Sequence, residues 1–253
     1  MIYDSHVHTT LSVDADTLIS DALHMAEEKN IGLVVTDHLD WDFPAPFPDF
    51  RLDVDRLFRE YGPLRSERLL LGVELGMTER SIDKNREIIR SHDFDFVLGS
   101  VHVLDGVEVE DSLYRHQDEA EVYRRYLTTA AQLVSTISID ALAHVDYPLR
   151  TTSRELPYGD YRNEFGALFA ALLEQDACLE LNTSRLGDAV AYANLLEIYR
   201  AYRTAGGRYV TLGSDAHEPG EIADHFNLAA AFLRESGLTP VHYRNHTRIP
   251  DTI

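Results

Sequence analysis

Side chains that commonly bind metal ions follow closely on short apolar runs of this sequence. They are six imidazoles and two carboxylates, namely His6, His8, His38, Glu74, His102, His144, Asp215 and His217. The apolar runs have the composition of strands, so these side chains come where predicted strands end. Mixed imidazole and carboxylate ligands suit Zn²⁺, Mn²⁺ or Fe²⁺ better than Ca²⁺, which prefers oxygen ligands alone. The pattern therefore predicts a transition-metal site.

The His-x-His pair near the start of the chain has a spacing that suits a shared ion. On an extended strand, residues i and i+2 point to the same face, so His6 and His8 can bind one ion together. Glu74 and Asp215 are then suited to bridge ions or to complete their shells. The single cysteine, Cys178, lies in an apolar run, so we expect a buried side chain and no closed structural zinc site.

Strands and helices are predicted to alternate along the chain. The predicted strands are Met1–Tyr3, Ile31–Thr36, Leu69–Val73, Phe94–Leu98, Ile139–Ala143, Cys178–Leu181 and Tyr209–Leu212. Helical spacing of apolar residues occurs between most of them, for example in Thr17–Lys29, Glu119–Ser135, Tyr161–Gln175 and Ala189–Ala205. This alternation favours parallel strands covered by helices. We predict an α/β fold, a distorted seven-stranded (β/α)7 barrel similar to a TIM barrel, with the metal site at the C-terminal ends of the strands.

Length and charge narrow the range of functions. The chain has 253 residues, is 44% hydrophobic, and carries 43 acidic against 23 basic residues, a net charge of -20. Such a field repels phosphate backbones and anionic lipids, so we expect no nucleic-acid partner and no membrane partner. The sequence lacks a long apolar run and a signal-peptide pattern at its start, which favours a cytoplasmic protein. Residues 1–253 are predicted to form one domain.

Taken in order, the motifs at the strand ends resemble those of a known family. HVH, TDH, GVELG, GSVH, AHVD, ELNTS and GSDAH are similar to the motifs of the PHP (polymerase and histidinol phosphatase) family. The closing YRNHTRIP resembles the terminal strand of its histidinol-phosphate phosphatase subgroup. The resemblance covers nearly the whole chain. It implies a distorted seven-stranded barrel with three divalent metal ions at its mouth.

The resemblance also implies which residues hold each ion. The first ion would be held by His6, His8, Glu74 and Asp215. The second would be held by Glu74, His102 and His144. The third would be held by Asp14, His38 and His217, where Asp14 has the family's spacing after His8 and the neighbouring Asp16 does not.

The implied activity is metal-dependent hydrolysis of a small phosphate monoester by a metal-bridging hydroxide. The favoured substrate is L-histidinol phosphate, which would give L-histidinol and phosphate in histidine biosynthesis. The ions would outweigh the ligand carboxylates by about three charges, so an anion can bind even in an acidic protein. The candidate substrate contacts are Arg185, Asn182, Arg150 and Arg154. The sequence predicts neither the native metal nor the oligomeric state.

Three alternatives remain open. Other PHP enzymes act on nucleotide phosphates or other phosphate esters with the same metal shell. A metal-dependent amidohydrolase also begins with His-x-His, but many such enzymes bridge two ions through a modified lysine at a strand end, and neither Lys29 nor Lys84 has that position. A non-catalytic PHP module would be expected to have lost metal ligands, and none is lost here.

Residues next to the ligands have weaker assignments. Asp4 and Asp37 are expected to bond to metal-bound imidazoles as supporting partners, or else to cap local turns. The loop Leu39–Leu52 contains four aromatic residues and is expected either to wall the substrate pocket or to pack on the barrel rim. No metal role is assigned to the remaining histidines, which are His24, His92, His116, His225, His242 and His246.

Overall fold

The structure is a computed structural model that describes residues 1–45, 49–110 and 117–252. Its strands are β1 (Tyr3–Val7), β2 (Gly32–Val35), β3 (His38–Leu39), β4 (Leu69–Gly76), β5 (Phe96–Ser100), β6 (Val103–Leu104), β7 (Val107–Glu108), β8 (Ala141–Leu142), β9 (Cys178–Asn182), β10 (Tyr209–Gly213), β11 (Thr239–Arg244) and β12 (Thr247–Pro250). Its helices are α1 (Ile19–Lys29), α2 (Val54–Tyr61), α3 (Ile82–Ser91), α4 (Glu119–Val134), α5 (Arg162–Glu174), α6 (Ala189–Ala205) and α7 (Phe226–Ser236). Among the described helices, none is both long and apolar enough to cross a membrane.

Most of the strands form one parallel sheet. Its order is β1-β2-β4-β5-β8-β9-β10-β11-β12, with β3 beside β4 and only β12 antiparallel to its neighbour on this path. The predicted parallel α/β fold is therefore confirmed, although the sheet has ten strands rather than seven. Backbone bonds also join the segment after β10 to β1, because Asp215 N–H donates to the His6 carbonyl and His8 N–H donates to the Ala216 carbonyl, both at 2.9 Å.

Two apolar layers lie on the two faces of the sheet. Between strands and helices, alternate strand residues such as Leu71 and Val73 pack against the apolar faces of the helices. On the other face, a smaller cluster that includes Leu70 and Phe96 fills the space near the amino ends of the strands. The same face of β4 continues from Leu70 to Glu74, because side chains alternate along a strand. Apolar side chains thus occupy one end of this face, and polar ones occupy the carboxyl end.

A hairpin of β11 and β12 covers the apolar end. Val241 and Tyr243 of β11 belong to the smaller apolar cluster, and Tyr243 lies 5.5 Å from Phe96 between ring centroids. Cys178 packs there as well, which confirms its predicted burial. Burial raises the pKa of its thiol to about 12, so the thiolate, the reactive form, is not populated near neutral pH.

A bulge in β1 determines where the first two histidines point. The pairing of β1 with β2 shifts register between Asp4 and Val7. Tyr3 packs in the smaller apolar cluster, whereas Val7 packs on the helix side. Strict alternation would place both residues on one face, so the extra residue of the bulge is what turns His6 and His8 to the Tyr3 face. The predicted strand Met1–Tyr3 is therefore displaced, and the observed strand includes His6 itself.

Candidate metal centre

Glu74 lies at the centre of the ligand cluster. It is wholly buried near the end of β4. Its Oε2 lies 3.4 Å from His6 Nε2 and 3.5 Å from His8 Nε2. Its Oε1 lies 3.1 Å from His102 Nε2 and 3.0 Å from His144 Nε2. Oε2 also lies near His38, so each carboxylate oxygen faces its own set of imidazoles, which is the arrangement that a bridge between two cations requires.

Asp215 completes the surroundings of the first pair. Its Oδ1 lies 3.2 Å from His6 Nε2 and 3.3 Å from His8 Nε2. Its backbone has a φ of 63°, in the left-handed region, which costs a residue other than glycine on the order of 1 kcal/mol. The hydrogen bond from Asp215 N–H to the His6 carbonyl holds that conformation. The carboxylate is thereby directed at the same point as Glu74 Oε2.

Asp14 lies between two further imidazoles at the edge of the cluster. Its Oδ2 lies 3.4 Å from His38 Nε2 and 3.2 Å from His217 Nε2. The rings of His38 and His217 stack against His8, with centroid distances of 4.2 and 4.3 Å. His38 Nδ1 also lies 2.8 Å from Glu74 Oε2, so this third group is continuous with the rest of the cluster.

The structure thus brings all nine predicted ligands into one cluster. The cluster contains four overlapping groups of three residues. Within each group the potential ligand atoms lie within 4.8 Å of one another, close enough to hold a metal ion. These groups are His8, His38 and His217; His6, His8 and Glu74; His6, His144 and Asp215; and His38, Glu74 and His102. Asp14 belongs to none of the four, although it contacts two of their members.

Several imidazoles are held through Nδ1, which leaves Nε2 available to bind a metal ion. His6 Nδ1 lies 2.7 Å from Glu180 Oε1, and His102 Nδ1 lies 3.0 Å from Asp40 Oδ1. His8 Nδ1 lies 3.4 Å from Ser12 Oγ. The Nε2 atoms of His6 and His8 are buried and have no hydrogen-bond partner in the described ranges. Anchored Nδ1 atoms with buried, unsatisfied Nε2 atoms fit metal coordination well.

Of the two roles expected for Asp4 and Asp37, the structure shows hydrogen bonding to the backbone of neighbouring loops and not to the imidazole rings. Asp4 accepts hydrogen bonds from the N–H groups of Ser214, at 2.9 Å, and Ala223, at 2.7 Å. Asp37 accepts hydrogen bonds from Thr9 N–H at 2.6 Å and from Ser12 Oγ at 3.0 Å. Both carboxylates hold loops next to the ligands rather than the rings themselves. Burial outweighs these bonds and raises the pKa of each carboxyl to about 6.

The carboxylates that do reach the rings are Glu180 and Asp40, which the sequence analysis missed. Glu180 had a signal in the sequence, because it is a charged residue inside the otherwise apolar strand β9 and lies two residues before Asn182 on the same face. Asp40 follows the ligand His38 by two residues in a loop, where an aspartate is unremarkable. Its role depends on the approach of His102 from another strand.

Charges of opposite sign balance one another inside this cluster. Burial lowers the pKa of His6, but the carboxylates of Asp215, Glu180 and Glu74 outweigh burial and raise it well above its usual value. Burial and the neighbouring His38 lower the pKa of His8 to about 3. Without cations, imidazolium groups therefore neutralise the carboxylates. Bound metal ions would displace these protons and take over that role.

A pocket of about 200 Å³ opens over the ligands. Its walls include the aromatic side chains of Phe43, Phe50 and Tyr147, together with Glu110 and Arg150. The loop Leu39–Leu52 therefore contributes to the pocket wall, which is one of its two expected roles. Among its other aromatic residues, Trp41 is half-buried with the Lys84 amine over its ring, and Phe47 lies outside the described residues.

The candidate substrate contacts differ in position. Arg150 lines the pocket, and its Nη2 lies 2.6 Å from Asp215 Oδ2. Asn182 Nδ2 lies 3.3 Å from the same oxygen. Arg185 instead pairs with Asp146 at 2.8 Å and with Glu155 at 2.5 Å.

The fourth candidate, Arg154, has an exposed side chain. All four assignments stay predictions, and Arg150 has the most direct access to the pocket. The histidines without a metal assignment lie outside the four groups of potential ligands wherever the structure describes them. His116 lies outside the described residues.

Fold and site together define a parallel α/β protein whose strand ends carry side chains able to hold metal ions. Residues 4–184, well over half of the chain, match the model of the PHP domain. The chain belongs to the PHP domain family.

Curated relatives and a solved structure extend the comparison over the full length. A protein of Clostridium acetobutylicum named "Probable histidinol-phosphatase" is 36% identical over 248 residues, which is 96% of this chain and 97% of the relative. Histidinol-phosphatase of Lactococcus lactis is 28% identical over 85% of this chain and 83% of its own. The crystal structure of histidinol phosphate phosphatase from Lactococcus lactis, complexed with zinc, L-histidinol and phosphate, has a TM-score of 0.89 at 24% identity and covers 98% of each chain. That likeness establishes the shared fold.

Proposed function

We propose that this protein is a metal-dependent phosphatase that hydrolyses L-histidinol phosphate to L-histidinol and phosphate. The observation that carries the proposal is the gathering of nine potential ligands, with Glu74 at their centre, beneath an open pocket. Relatives that match this chain over most of its length are named histidinol-phosphatases. The Lactococcus lactis enzyme, which shares the fold, was crystallised with zinc, L-histidinol and phosphate.

The contacts of Glu74 support a centre of three ions. Its two oxygens would bridge the first ion, at His6, His8 and Asp215, and the second, at His102 and His144. The third ion would lie at Asp14, His38 and His217. Zn²⁺, Mn²⁺ and Fe²⁺ all accept such mixed ligands. In the same proposal, seven of the parallel strands, β1, β2, β4, β5, β8, β9 and β10, form a distorted barrel, supported by the backbone bonds between β1 and the segment after β10.

Binding and orientation of the substrate fall to the chain's own residues. When bound, divalent ions lower the pKa of water and neutralise charge on phosphoryl oxygens. Arg150 presents planar N–H donors at the pocket wall, a geometry that matches phosphoryl oxygens. The aromatic wall of Phe43, Phe50 and Tyr147 limits access of bulk water to one side of the pocket. These residues would place the phosphate over the ligands and the organic group against the aromatic wall.

A phosphate-release screen tests the proposed substrate. Histidinol phosphate, nucleoside monophosphates and 3′,5′-bisphosphates are compared with Mn²⁺, Zn²⁺ and Fe²⁺ supplied in turn. We expect the highest kcat/KM for histidinol phosphate. A preference for a nucleotide would refute the substrate while preserving the hydrolytic site. Hydrolysis of amides or lactones without phosphate release would instead place the protein among the amidohydrolases.

Replacement of Arg150 is expected to weaken catalysis more than replacement of either other arginine. Arg150→Ala should lower kcat/KM about 100-fold, since a charge-assisted bond to a charged group contributes roughly 1.5–3 kcal/mol. Arg185→Ala should chiefly destabilise the fold, because Asp146 and Glu155 lose their partner. Arg154→Ala serves as the exposed control. Steady-state kinetics, metal content and thermal unfolding are measured for all three, and a larger kinetic effect of Arg185→Ala would contradict this order.

Glu110 is expected to contribute to recognition of the organic group. It lines the pocket beside Phe43 and Phe50, and its N–H donates to Glu108 Oε1 at 2.8 Å. Histidinol carries a cationic amine, which a carboxylate in a pocket that also has aromatic walls attracts. Glu110→Gln should raise the KM for histidinol phosphate about tenfold and leave the hydrolysis of p-nitrophenyl phosphate, which lacks a cation, unchanged. The exposed Glu87→Gln is the matched control. Equal effects on both substrates would contradict a role in recognition.

A further inference from the structure

Glu180 is a wholly buried carboxylate that lies behind the ligands, and none of the proposed ligand sets includes it. Its Oε1 lies 2.7 Å from His6 Nδ1. Its Oε2 accepts a hydrogen bond from His144 N–H at 2.8 Å and lies 3.3 Å from Asn182 Nδ2. Both oxygens are therefore occupied as acceptors, and donors come from three separate residues.

These contacts join residues of two different proposed ion sites. His6 belongs to the first set of ligands and His144 to the second. Glu180 holds the ring of His6 through Nδ1 and the backbone of His144 through its N–H. Asn182, which contacts Glu180, also lies 3.3 Å from Asp215 Oδ2. One side chain thus fixes the spacing between ligands that come from β1 and from the end of β8.

Gly213 of β10 lies directly beside the Glu180 carboxylate, so the carboxylate has no room to move toward β10. A Cβ atom added at Gly213 would lie 2.1 Å from Glu180 Oε1 and 2.5 Å from His6 Cβ. Contacts that short do not occur between real atoms, so the positions of the Glu180 carboxylate and of His6 Cβ both depend on the absence of a side chain at Gly213. Gly213 and Glu180 together define the position of His6.

An amide in place of the carboxylate would disturb the ligands in either orientation. With the amide oxygen toward His6, the amide NH₂ group would face the His144 N–H, which is also a donor. With the NH₂ group toward His6, the amide would favour the tautomer that accepts at Nδ1 and carries its proton on Nε2. That proton would occupy the position of the metal. The surroundings of Glu180 therefore require that both of its side-chain oxygen positions be occupied by hydrogen-bond acceptors.

We infer that Glu180 is a positioning residue that sets the tautomer of His6 and the spacing between the first and second metal ions. This inference rests on the proposed function, because it assumes that ions bind at Glu74. It assigns to Glu180 no contact with substrate or with an ion.

The test compares Glu180→Gln with Asp95→Asn, a matched control. Asp95 is also a buried carboxylate with acceptor contacts, including Leu71 N–H at 3.0 Å and Arg65 at 2.7 Å, but it lies at the start of β5, at the other end of the strands. Affinity for Zn²⁺ is measured by competition with a chelator, and the environment of Co²⁺ by visible absorption. Glu180→Gln should bind about 10–100-fold more weakly and show an altered Co²⁺ spectrum, whereas Asp95→Asn should lose stability only.

Wild-type affinity and an unchanged Co²⁺ spectrum in Glu180→Gln would overturn the inference. If that variant does not fold, Gly213→Ala is measured instead, and it should show the same loss because the added methyl group displaces the same carboxylate and imidazole. Wild-type affinity in Gly213→Ala would also overturn the inference. Failure of the unaltered protein to bind metal or release phosphate would be a different result, since it would refute the proposed function itself.

Discussion

Removal of the metal ions is expected to abolish phosphate release. In the metal-free pocket the carboxylates of Glu74, Asp215 and Asp14 are paired with histidines, so no net positive charge remains to bind an anionic substrate, and several kcal/mol of charge stabilisation in the transition state are lost with the ions. The protein is dialysed against a chelator, its metal content is determined by elemental analysis, and phosphate release is assayed. Turnover that persists in fully metal-free protein would contradict the proposed mechanism.

Restoration of activity by added metal controls for damage during dialysis. Zn²⁺, Mn²⁺ and Fe²⁺ are added back separately, and the most effective one identifies the working metal. Uptake should weaken as the pH falls, because protons and cations compete for the same imidazoles. His102 contributes to this effect, since Asp40 and Glu74 outweigh its burial and raise its pKa to about 10 in the metal-free cluster. Affinity that does not change with pH would show that these imidazoles are not ligands.

Replacement of Glu74 is expected to have the second largest effect. Glu74→Gln retains the size of the side chain but removes the charge that faces five imidazoles. We expect kcat to fall at least about 10³-fold, because the loss of correctly placed ions removes several kcal/mol of transition-state stabilisation.

Metal content distinguishes this effect from a loss of folding. Glu74→Gln should retain fewer ions than the unaltered protein, with a circular dichroism spectrum that still indicates folded protein. The matched control is Glu79→Gln, five residues further along the chain and exposed to solvent, which should behave like the unaltered protein. Full metal content and near-normal turnover in Glu74→Gln would show that Glu74 bridges no ions.

The sequence predicted the cluster because parallel strands place their carboxyl ends at one edge of the sheet. Ligands that follow different strands, such as His38, His144 and Asp215, then lie together whatever their separation in the chain. Alternating apolar runs and helical segments were sufficient for that argument. The number of strands in the main sheet was not predicted. Strand β3 contains only two residues and leaves little periodic signal, and β11 and β12, although longer, were not among the seven predicted strands.

Contacts behind the ligands were harder to predict than the ligands. Glu180 and His6 are separated by 174 residues, and their pairing depends on how strands β9, β10 and β1 lie side by side. No local pattern records that arrangement. The same limit applies to the arginines, since Arg150 and Arg185 both follow strand ends, and their different carboxylate partners and positions relative to the pocket are set by tertiary contacts.

The bulge in β1 gives the amino-terminal strand an unusual sensitivity to length. Deletion of one residue, such as Ser5, would restore regular alternation and exchange the two faces of the strand downstream of it. Such a deletion would rotate the upstream or the downstream side chains away from their present neighbours, with no change in the chemical character of any remaining residue. Loss of a single codon at this point would thus separate His6 and His8 from the other potential metal ligands, whereas the same loss in an exposed loop would be tolerated.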